Sequence, residues 1–197
     1  MSKLYFRYSA MNAGKSTSLL QVAYNYEEQN RRVRLFTAGV DDRYGVGLIT
    51  SRLGIQRNAE IFLKETDFEQ VLDTESADTL SCVLIDEAQF LTVAQVIQLH
   101  RIANLHNIPV ICFGIRSDFQ GNPFEGSGHL LTLADDLEEL KTICSCGRKA
   151  TMNMRVNDKG RKISHGSQVH IGGNNQYKQV CAKCFYQADA RGGTGPL

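Results

Sequence analysis

Short apolar runs alternate with stretches of helical periodicity along the first part of the chain. Four runs predict strands, at residues 4–8, 33–37, 82–85 and 110–114. Two stretches predict helices, at residues 19–27 and, behind the capping residue Thr92, at residues 93–105. Four consecutive apolar residues at 82–85 are typical of a strand that is buried on both faces. Alternating strands and helices predict an α/β fold with a parallel sheet and helices on both faces.

Other elements of this part are less clearly marked. Residues 49–53 predict a short strand and residues 68–72 a helical turn, but the rest of residues 48–79 has no clear pattern. A short helix is predicted at residues 130–136 and a last strand at residues 140–143. Together these elements predict one α/β domain over residues 1–143.

The segment Ser-Ala-Met-Asn-Ala-Gly-Lys-Ser-Thr, residues 9–17, joins the first strand to the first helix. A helix N-terminus attracts phosphate through its unpaired N–H groups and its partial positive charge. Gly14 lets the backbone approach a phosphate, Lys15 can reach the outer oxygens, and the Ser16 hydroxyl can hold Mg²⁺. A Gly-Lys-Ser triplet also opens ordinary helices, and Ser9 stands where the general phosphate-loop (P-loop) pattern has glycine. The strand before and the helix after favour a nucleotide-binding loop.

Two carboxylates, Asp86 and Glu87, end the apolar strand at residues 82–85. Carboxylates are costly to bury without partners, so their position is informative in a chain that also has a phosphate loop. Asp86 is predicted to be the second Mg²⁺ ligand, directly or through water, and Glu87 to accept a proton. The alternative is an ordinary strand end that runs into solvent.

Polar clusters also follow two other predicted strands, at residues 41–45 and 115–121. Ligands bind beyond the carboxyl ends of the strands in open parallel sheets, so both clusters are candidates for the same site. On composition alone, residues 41–45 favour a solvated loop.

Four cysteines form two close pairs, Cys144 with Cys146 and Cys181 with Cys184. Four thiolates suit tetrahedral zinc, and two pairs in an intracellular chain favour a structural zinc site over unrelated thiols. We therefore predict a zinc-binding ribbon over residues 144–190. Its expected parts are strands at residues 151–156 and 168–171, a turn or mobile loop at 157–162, and a flexible tail at 191–197.

Composition limits the classes of partner. The chain has 197 residues, of which 42% are hydrophobic, and a net charge of +1. This balance does not fit a strongly basic nucleic-acid binder, and no nucleic-acid partner is expected. No stretch resembles a signal peptide or reaches membrane-spanning length, so a cytoplasmic protein without membrane contact is predicted. Cys82 and Cys112 lie inside predicted strands and are expected to belong to the core.

Four motifs resemble, in order, those of the type II thymidine kinases of bacteria and the vertebrate cytosol. They are Met-Asn-Ala-Gly-Lys-Ser-Thr at residues 11–17, Asp-Glu-Ala-Gln-Phe at 86–90, Ile-Gly-Gly-Asn at 171–174 with Tyr177, and the paired cysteines. The resemblance extends from Leu4 to about Tyr186. Bacterial members also resemble the chain in having Ser-Ala-Met, so Ser9 departs from the general phosphate-loop pattern but not from this family.

The resemblance implies transfer of the ATP γ-phosphoryl group to the 5′-hydroxyl of thymidine. Glu87 matches the catalytic base, and Asp41 and Arg43 match an acidic-x-Arg motif near the phosphates. The predicted ATP site comprises Ser9, Ala10, Met11, Asn12, Ala13, Gly14, Lys15, Ser16, Thr17, Asp86, Glu87, Ala88 and Gln89. The predicted thymidine contacts are Met11, Phe90, Phe119, Ile171, Gly172, Gly173 and Tyr177. Residues up to Tyr177 match a loop that covers thymidine, and members are usually homotetramers inhibited by dTTP.

Two other functions fit some of the residues. A phosphate-loop ATPase could use Glu87 to activate water, with the zinc ribbon gripping nucleic acid, but the chain is short for a motor and its charge is balanced. A zinc-dependent catalyst would need an open ligand position, and four cysteine ligands leave none. Phosphoryl transfer agrees with the residues, but nothing in their spacing or composition identifies thymidine, which follows from the resemblance.

Overall fold

In the part of the chain that the structure describes, the central sheet has six strands, all parallel. The computed structural model describes residues 1–40, 47–72, 80–169 and 176–190, without the side chains of residues 189 and 190. The strands of the sheet are β1 Leu4–Ser9, β2 Arg32–Ala38, β5 Glu60–Phe62, β6 Leu80–Ile85, β7 Val110–Ile115 and β8 Asp136–Glu139. They follow the order β5-β2-β6-β7-β1-β8 across the sheet. A parallel sheet with helices on both faces is thus confirmed.

Helices cover the two faces of the sheet unequally. On one face α1, Lys15–Glu28, packs Leu19, Leu20 and Ala23 against the sheet. The other face is covered by α2, α3 and α4, which span Phe68–Val71, Val93–Leu105 and Glu125–Leu133. Strand β6 serves both cores, because Cys82 and Leu84 belong to the α1 side and Val83 and Ile85 to the other. The strand at 82–85 is therefore buried on both faces, as predicted.

Helix α3 begins with the cap that the sequence predicts. The Thr92 hydroxyl accepts from the backbone N–H of Gln95, and the Gln95 side chain accepts from the Thr92 N–H in return. Gln95 is 2% exposed, and its amide nitrogen donates to the carbonyls of Leu63 and Thr66. The cap therefore also ties α3 to the segment between β5 and α2. Within the described residues, no helix has the length and apolar character needed to span a membrane.

Three of the predicted elements differ in the structure. Helix α4 spans residues 125–133 and not 130–136, so its first turn contains Gly126 and Gly128. The last strand of the sheet is β8 at 136–139, which pairs in parallel with β1, and the strand predicted at 140–143 is present only at residues 142–143, outside this sheet. The segment at 48–58, left unassigned apart from a strand at 49–53, forms a small hairpin of β3, Leu48–Thr50, and β4, Gln56–Asn58.

The C-terminal part forms a small antiparallel ribbon with its own core. Its elements are β9 Thr142–Ile143, β10 Lys149–Ala150, β11 Met152–Arg155, β12 Tyr177–Val180 and helix α5 Ala182–Ala190. The prediction of a strand near 151–156 is confirmed as β11, which pairs with β12. The strand predicted at 168–171 lies partly outside the described residues. Met154, Val156, Val180 and Phe185 pack around three of the cysteines. Helix α5 is not among the elements predicted from the sequence.

Helix α4 approaches the 3₁₀-helix Ala88–Phe90 very closely at one glycine. A Cβ added at Gly126 would lie 2.7 Å from the carbonyl oxygens of Ala88 and Leu91 and 3.0 Å from that of Gln89. All three atoms are backbone, so they cannot move aside without shifting the 3₁₀-helix. Two residues further on, a Cβ at Gly128 would meet nothing within 4 Å.

We expect these two glycines to respond in opposite directions to the same substitution. Gly126→Ala should lower the free energy of unfolding by about 1–3 kcal/mol, because the added methyl group overpacks the contact. Gly128→Ala should raise the free energy of unfolding by about 0.5–1 kcal/mol, because alanine loses less backbone entropy in a helix. Urea unfolding of both variants measures the difference. Equal effects would contradict the close packing at Gly126.

Candidate active site

The phosphate loop turns from β1 into α1 through left-handed backbone. Asn12 has φ 64° and Gly14 has φ 80°, a region that glycine adopts easily. Gly14 occupies the N-cap position of α1 and has no side chain with which to cap the helix. The first amides of α1 are therefore placed to bind phosphate oxygens, which is the arrangement that the sequence predicts.

Ser9 and Lys15 lie together at the base of this loop. The Lys15 Nζ donates to the Ser9 Oγ at 3.2 Å and to the Ala10 carbonyl at 3.3 Å. Ser9 and Ala10 are each 4% exposed, and the Ser9 hydroxyl donates to the Ala10 carbonyl at 2.7 Å. The serine that replaces the usual glycine thus gives the lysine a hydrogen-bond partner inside the loop.

Asp86 and Glu87 follow β6 at the same edge of the sheet. Asp86 is 5% exposed, and its backbone N–H donates to the Phe36 carbonyl at 2.8 Å. Glu87 has left-handed backbone, with φ 53° and ψ 40°. This conformation is strained for a residue other than glycine, and such strain is concentrated at functional sites. The turn at Glu87 directs the chain from the sheet into the 3₁₀-helix.

Gln89 fixes the side chain of Glu87. Its amide nitrogen donates to the Glu87 Oε2, and its amide oxygen accepts from the Ile115 N–H at 3.2 Å. Gln89 is 3% exposed, so both of its polar ends are used in a buried position. The resemblance predicts Gln89 and Ala88 as part of the ATP site. In the structure the Gln89 amide forms hydrogen bonds with Glu87 and with Ile115 of β7, and Ala88 is fully buried in the core.

One cleft collects most of the predicted site residues. From the predicted ATP site, the cleft is lined by Met11, Asn12, Gly14, Lys15, Ser16, Thr17, Asp86, Glu87 and Gln89. From the predicted thymidine site, it is lined by Met11, Phe90, Phe119 and Tyr177. Ser9, Ala10, Ala13 and Ala88 are not among its lining residues. The cleft therefore brings a phosphate-binding loop, a carboxylate pair and a group of aromatic rings into one space.

The aromatic side of the cleft is built from packed rings. The Phe90 and Phe124 rings meet edge to face with centroids 5.8 Å apart. Phe119 is 1% exposed, and the guanidinium carbon of Arg155 lies 5.5 Å from its ring centroid. Flat apolar surfaces of this kind suit a planar nucleobase.

Several cleft residues were not predicted individually. Asp118 lies in the polar cluster after β7, and its Oδ1 accepts from the N–H groups of Gln120 and Asn122 at 2.9 and 2.8 Å. Its Oδ2 accepts from the Gln168 amide at 3.1 Å. Asn153 lines the cleft from β11. A buried polar residue between two methionines, Met-Asn-Met, was the available signal for Asn153.

The first part of the predicted covering loop has defined hydrogen bonds. Residues 157–162 form a turn, in which the Arg161 N–H donates to the Asn157 Oδ1 at 2.9 Å and the Asn157 N–H to the Arg161 carbonyl at 2.9 Å. The Gln120 amide donates to the Ser164 carbonyl at 3.2 Å. The bonds of Ser164 and Gln168 attach this segment to the turn after β7.

Some predicted site residues lie outside the described residues. These are Asp41 and Arg43, assigned to the phosphate region, and Ile171, Gly172 and Gly173, assigned to thymidine. The tail at 191–197 lies outside them as well.

The four paired cysteines form a cluster away from the cleft. Their sulfur atoms all lie within 4.8 Å of one another, and the sulfurs of Cys146 and Cys181 are 3.6 Å apart. This separation is far longer than a disulfide bond of about 2.05 Å. Cys144, Cys181 and Cys184 are buried, and Cys146 is exposed. The cluster has the number and spacing of ligands needed to hold a metal ion.

The acidities of the clustered thiols also favour a cation. Burial alone would raise the pKa of Cys144, but backbone hydrogen bonds from Cys146 and Cys181 outweigh burial and lower the pKa to about 6. Hydrogen bonds within the cluster, with Cys146 foremost, raise the pKa of Cys184 to about 12. Each thiolate that forms therefore makes its neighbours harder to deprotonate, and a cation between the sulfurs would offset this repulsion.

The other two cysteines are core residues, as predicted. Burial raises the pKa of the Cys82 thiol to about 12. Burial also raises the pKa of Cys112, which is fully enclosed. Both thiols stay protonated at neutral pH, which makes them unreactive and unsuited to bind metal.

Bacterial relatives match the chain along nearly its whole length. Thymidine kinase from Chromobacterium violaceum is 59% identical over 186 residues, which cover 94% of this chain and 99% of the relative. Thymidine kinase from Mannheimia succiniciproducens is 54% identical over 95% of this chain and 96% of its own length. The enzyme of the same name from Haemophilus influenzae is 53% identical over 92% and 94%. Among solved structures, Pif1 helicase from Candida albicans aligns with 73% of this chain and 36% of its own at a TM-score of 0.40 and 16% identity, and nothing about function follows from that likeness.

The family comparison agrees with these relatives. The family model described as thymidine kinase matches residues 2–185, which include the phosphate loop, the carboxylate pair and all four clustered cysteines. The match therefore covers both the sheet domain and the ribbon. The chain belongs to the thymidine kinase family.

Proposed function

We propose that the protein is an ATP-dependent thymidine kinase, which transfers the γ-phosphoryl group of ATP to the 5′-hydroxyl of thymidine. The observation that carries this proposal is the shared cleft, which holds the phosphate loop, Glu87 and aromatic side chains together. Membership of the thymidine kinase family supports the choice of nucleoside. The runner-up, an ATPase acting on nucleic acid, explains the phosphate loop but not the match to the thymidine kinase family.

The phosphate side of the reaction needs charge neutralisation and positioning more than covalent chemistry. Lys15 and the N-terminus of α1 would hold the phosphates of ATP at the base of the cleft. The Ser16 hydroxyl and the Asp86 carboxylate both line the cleft and are oxygen donors of the kind that Mg²⁺ prefers. We assign Mg²⁺ to these two residues, where it would share the negative charge of the phosphates.

The acceptor side needs a base and a surface for thymine. Glu87 would take the proton of the 5′-hydroxyl, and the Gln89 hydrogen bond fixes the direction of its carboxylate. Met11, Phe90, Phe119 and Tyr177 would surround the base. We keep Asp41 and Arg43 as phosphate-side residues, and Ile171, Gly172 and Gly173 as part of the loop that covers thymidine.

Nucleoside dependence and Glu87 test this mechanism together. ADP release should depend strongly on thymidine and should not be stimulated by single-stranded DNA. Glu87→Gln keeps the shape of the side chain and loses the proton acceptor, so turnover should fall by about 100-fold or more while ATP still binds. The matched control is Glu28→Gln at the exposed end of α1, which should have normal turnover.

Two outcomes would contradict the assignment in different ways. ADP release without thymidine, stimulated by DNA, would favour the ATPase. Normal turnover by Glu87→Gln in the presence of thymidine would keep the kinase but remove Glu87 from the role of base.

We also propose that the cysteine cluster holds one structural zinc ion. In tetrahedral zinc with Zn–S bonds of about 2.3 Å, sulfur atoms stand about 3.8 Å apart, which agrees with the spacing in the cluster. Two of the sulfurs belong to the turn between β9 and β10, and the other two lie at the start of α5. A shared ion would therefore connect these two parts of the ribbon. Four cysteine ligands leave no open position, and the ion would take no part in the chemistry.

Protein purified without added metal is expected to contain one zinc per chain by elemental analysis. Cys146→Ser should lower the zinc content markedly, because it removes one of four ligands from the exposed side of the cluster. Cys82→Ala, which changes a core thiol, should retain the full zinc content. A disulfide within the cluster in place of the metal would contradict the proposal.

The family resemblance further supports a homotetramer that dTTP inhibits and that works in the cytoplasm without nucleic-acid or membrane partners. It also supports a division into a P-loop domain at 1–143, a zinc-binding ribbon with the covering loop at 144–190, and a flexible tail at 191–197.

Sedimentation of the purified protein is expected to give four chains per particle. A monomer at micromolar concentration would contradict the proposed assembly.

A further inference from the structure

One buried side chain of the ribbon bonds to both sides of the cleft. Asn153 lies in β11 and is 3% exposed. Its Oδ1 accepts from the backbone N–H of Met11 at 2.7 Å, in the phosphate loop. Its Nδ2 donates to the Ser117 carbonyl at 3.2 Å, in the turn after β7. The two partners belong to segments more than 100 residues apart in the chain, and the ribbon residue bridges them.

A second polar residue stands beside Asn153 on the same hairpin. Gln179 of β12 is the direct cross-strand partner of Asn153, so the two side chains lie on the same face. The Gln179 Oε1 accepts from the Asn12 side-chain amide at 2.8 Å. Two neighbouring residues of the phosphate loop, Met11 and Asn12, are therefore bonded to two neighbouring positions of the ribbon.

The chemistry at position 153 is specific. The side chain at position 153 accepts from a backbone N–H and donates to a backbone carbonyl. A carboxamide can do both, whereas an apolar or a carboxylate side chain cannot. A buried polar group is costly unless it is hydrogen-bonded, and an apolar residue would suffice if this contact only packed the ribbon against the sheet. The amide therefore sets the distance and orientation of three segments.

We propose that Asn153 is a positioning residue for phosphoryl transfer, which acts through Met11 and Ser117, and that Gln179 assists it through Asn12. This inference rests on the proposed kinase function. Asn153 holds the phosphate loop at a fixed place relative to the turn that carries Asp118 and Phe119, so that ATP and the nucleoside meet in line. Through Asn153, the ribbon contributes directly to the geometry of the active site.

Misalignment should lower turnover more than it weakens binding, because aligned reactants matter most in the transition state. Asn153→Leu removes both hydrogen bonds while keeping the branching and the number of side-chain heavy atoms, and we expect kcat to fall on the order of 10- to 100-fold. The dissociation constants for ATP and thymidine should change by less than kcat does. Asn153→Asp keeps the acceptor for Met11 and loses the donor to Ser117, so its kcat should lie between those of wild type and Asn153→Leu. Gln179→Leu should have a smaller effect than Asn153→Leu.

A matched control separates positioning from ribbon stability. Met154 is the next residue of β11, is 1% exposed and packs in the ribbon core. Met154→Ala should lower the thermal midpoint of unfolding while kcat per folded enzyme stays near that of wild type. Asn153→Leu should instead show a large loss of kcat per folded enzyme, whatever the change in its thermal midpoint. Amide exchange gives a readout independent of turnover, because the Met11 N–H should exchange faster in Asn153→Leu than in Met154→Ala.

Failure of the positioning role is distinguishable from failure of the proposed function. A wild-type protein that releases no thymidine-dependent ADP would overturn the kinase assignment, and with it the positioning role. A working wild type, together with an Asn153→Leu variant that folds and keeps normal kcat, would leave the kinase intact and overturn the role of Asn153. Equal losses of kcat in Asn153→Leu and Met154→Ala would also overturn that role, because a general weakening of the ribbon would then explain both.

Discussion

Parallel pairing of neighbouring strands fixes where the chemistry of this protein can occur. Val110 of β7 is in register with Leu4 of β1 on one side and with Val83 of β6 on the other. Because the three strands run in the same direction, their carboxyl ends reach the same edge of the sheet. The phosphate loop, the carboxylate pair and the polar turn after β7 all leave from that edge. Residues far apart in the chain are thereby brought into one cleft, and the helices on the two faces keep the strands buried.

Features whose causes are local could be predicted from the sequence. The phosphate loop combines a glycine, a lysine and a hydroxyl within three consecutive residues, so the same short segment determines both its backbone geometry and its chemistry. Thr92 and Gln95 form the start of α3 by bonds within a single turn. The strand at 82–85 is recognisable because every residue is apolar and both faces are buried. The paired cysteines are recognisable because ligand chemistry and spacing coincide.

Features that depend on distant packing could not be predicted. Strand β8 is an exposed edge strand of mostly acidic residues, and a pattern of apolar positions cannot detect it. Helix α4 contains Gly126 and Gly128, which are weak helix formers, and its first turn is stabilised by packing against the 3₁₀-helix. The bond between Met11 and Asn153 joins residues 142 positions apart, so no local pattern reveals it. The pairing of β11 with β12 has the same kind of cause, since register between separated strands is set by the folded ribbon.

Residue 87 is subject to two opposing requirements, an unstrained left-handed backbone and a carboxylate side chain. Glycine or asparagine adopts φ 53° at a lower energy than glutamate does, and a strained residue of this kind costs about 1–3 kcal/mol. Neither replacement carries a carboxylate that could take a proton. On the proposed role of Glu87 as the base, selection for stability alone would favour inactivating changes at residue 87, so engineering for thermal stability should hold this residue constant.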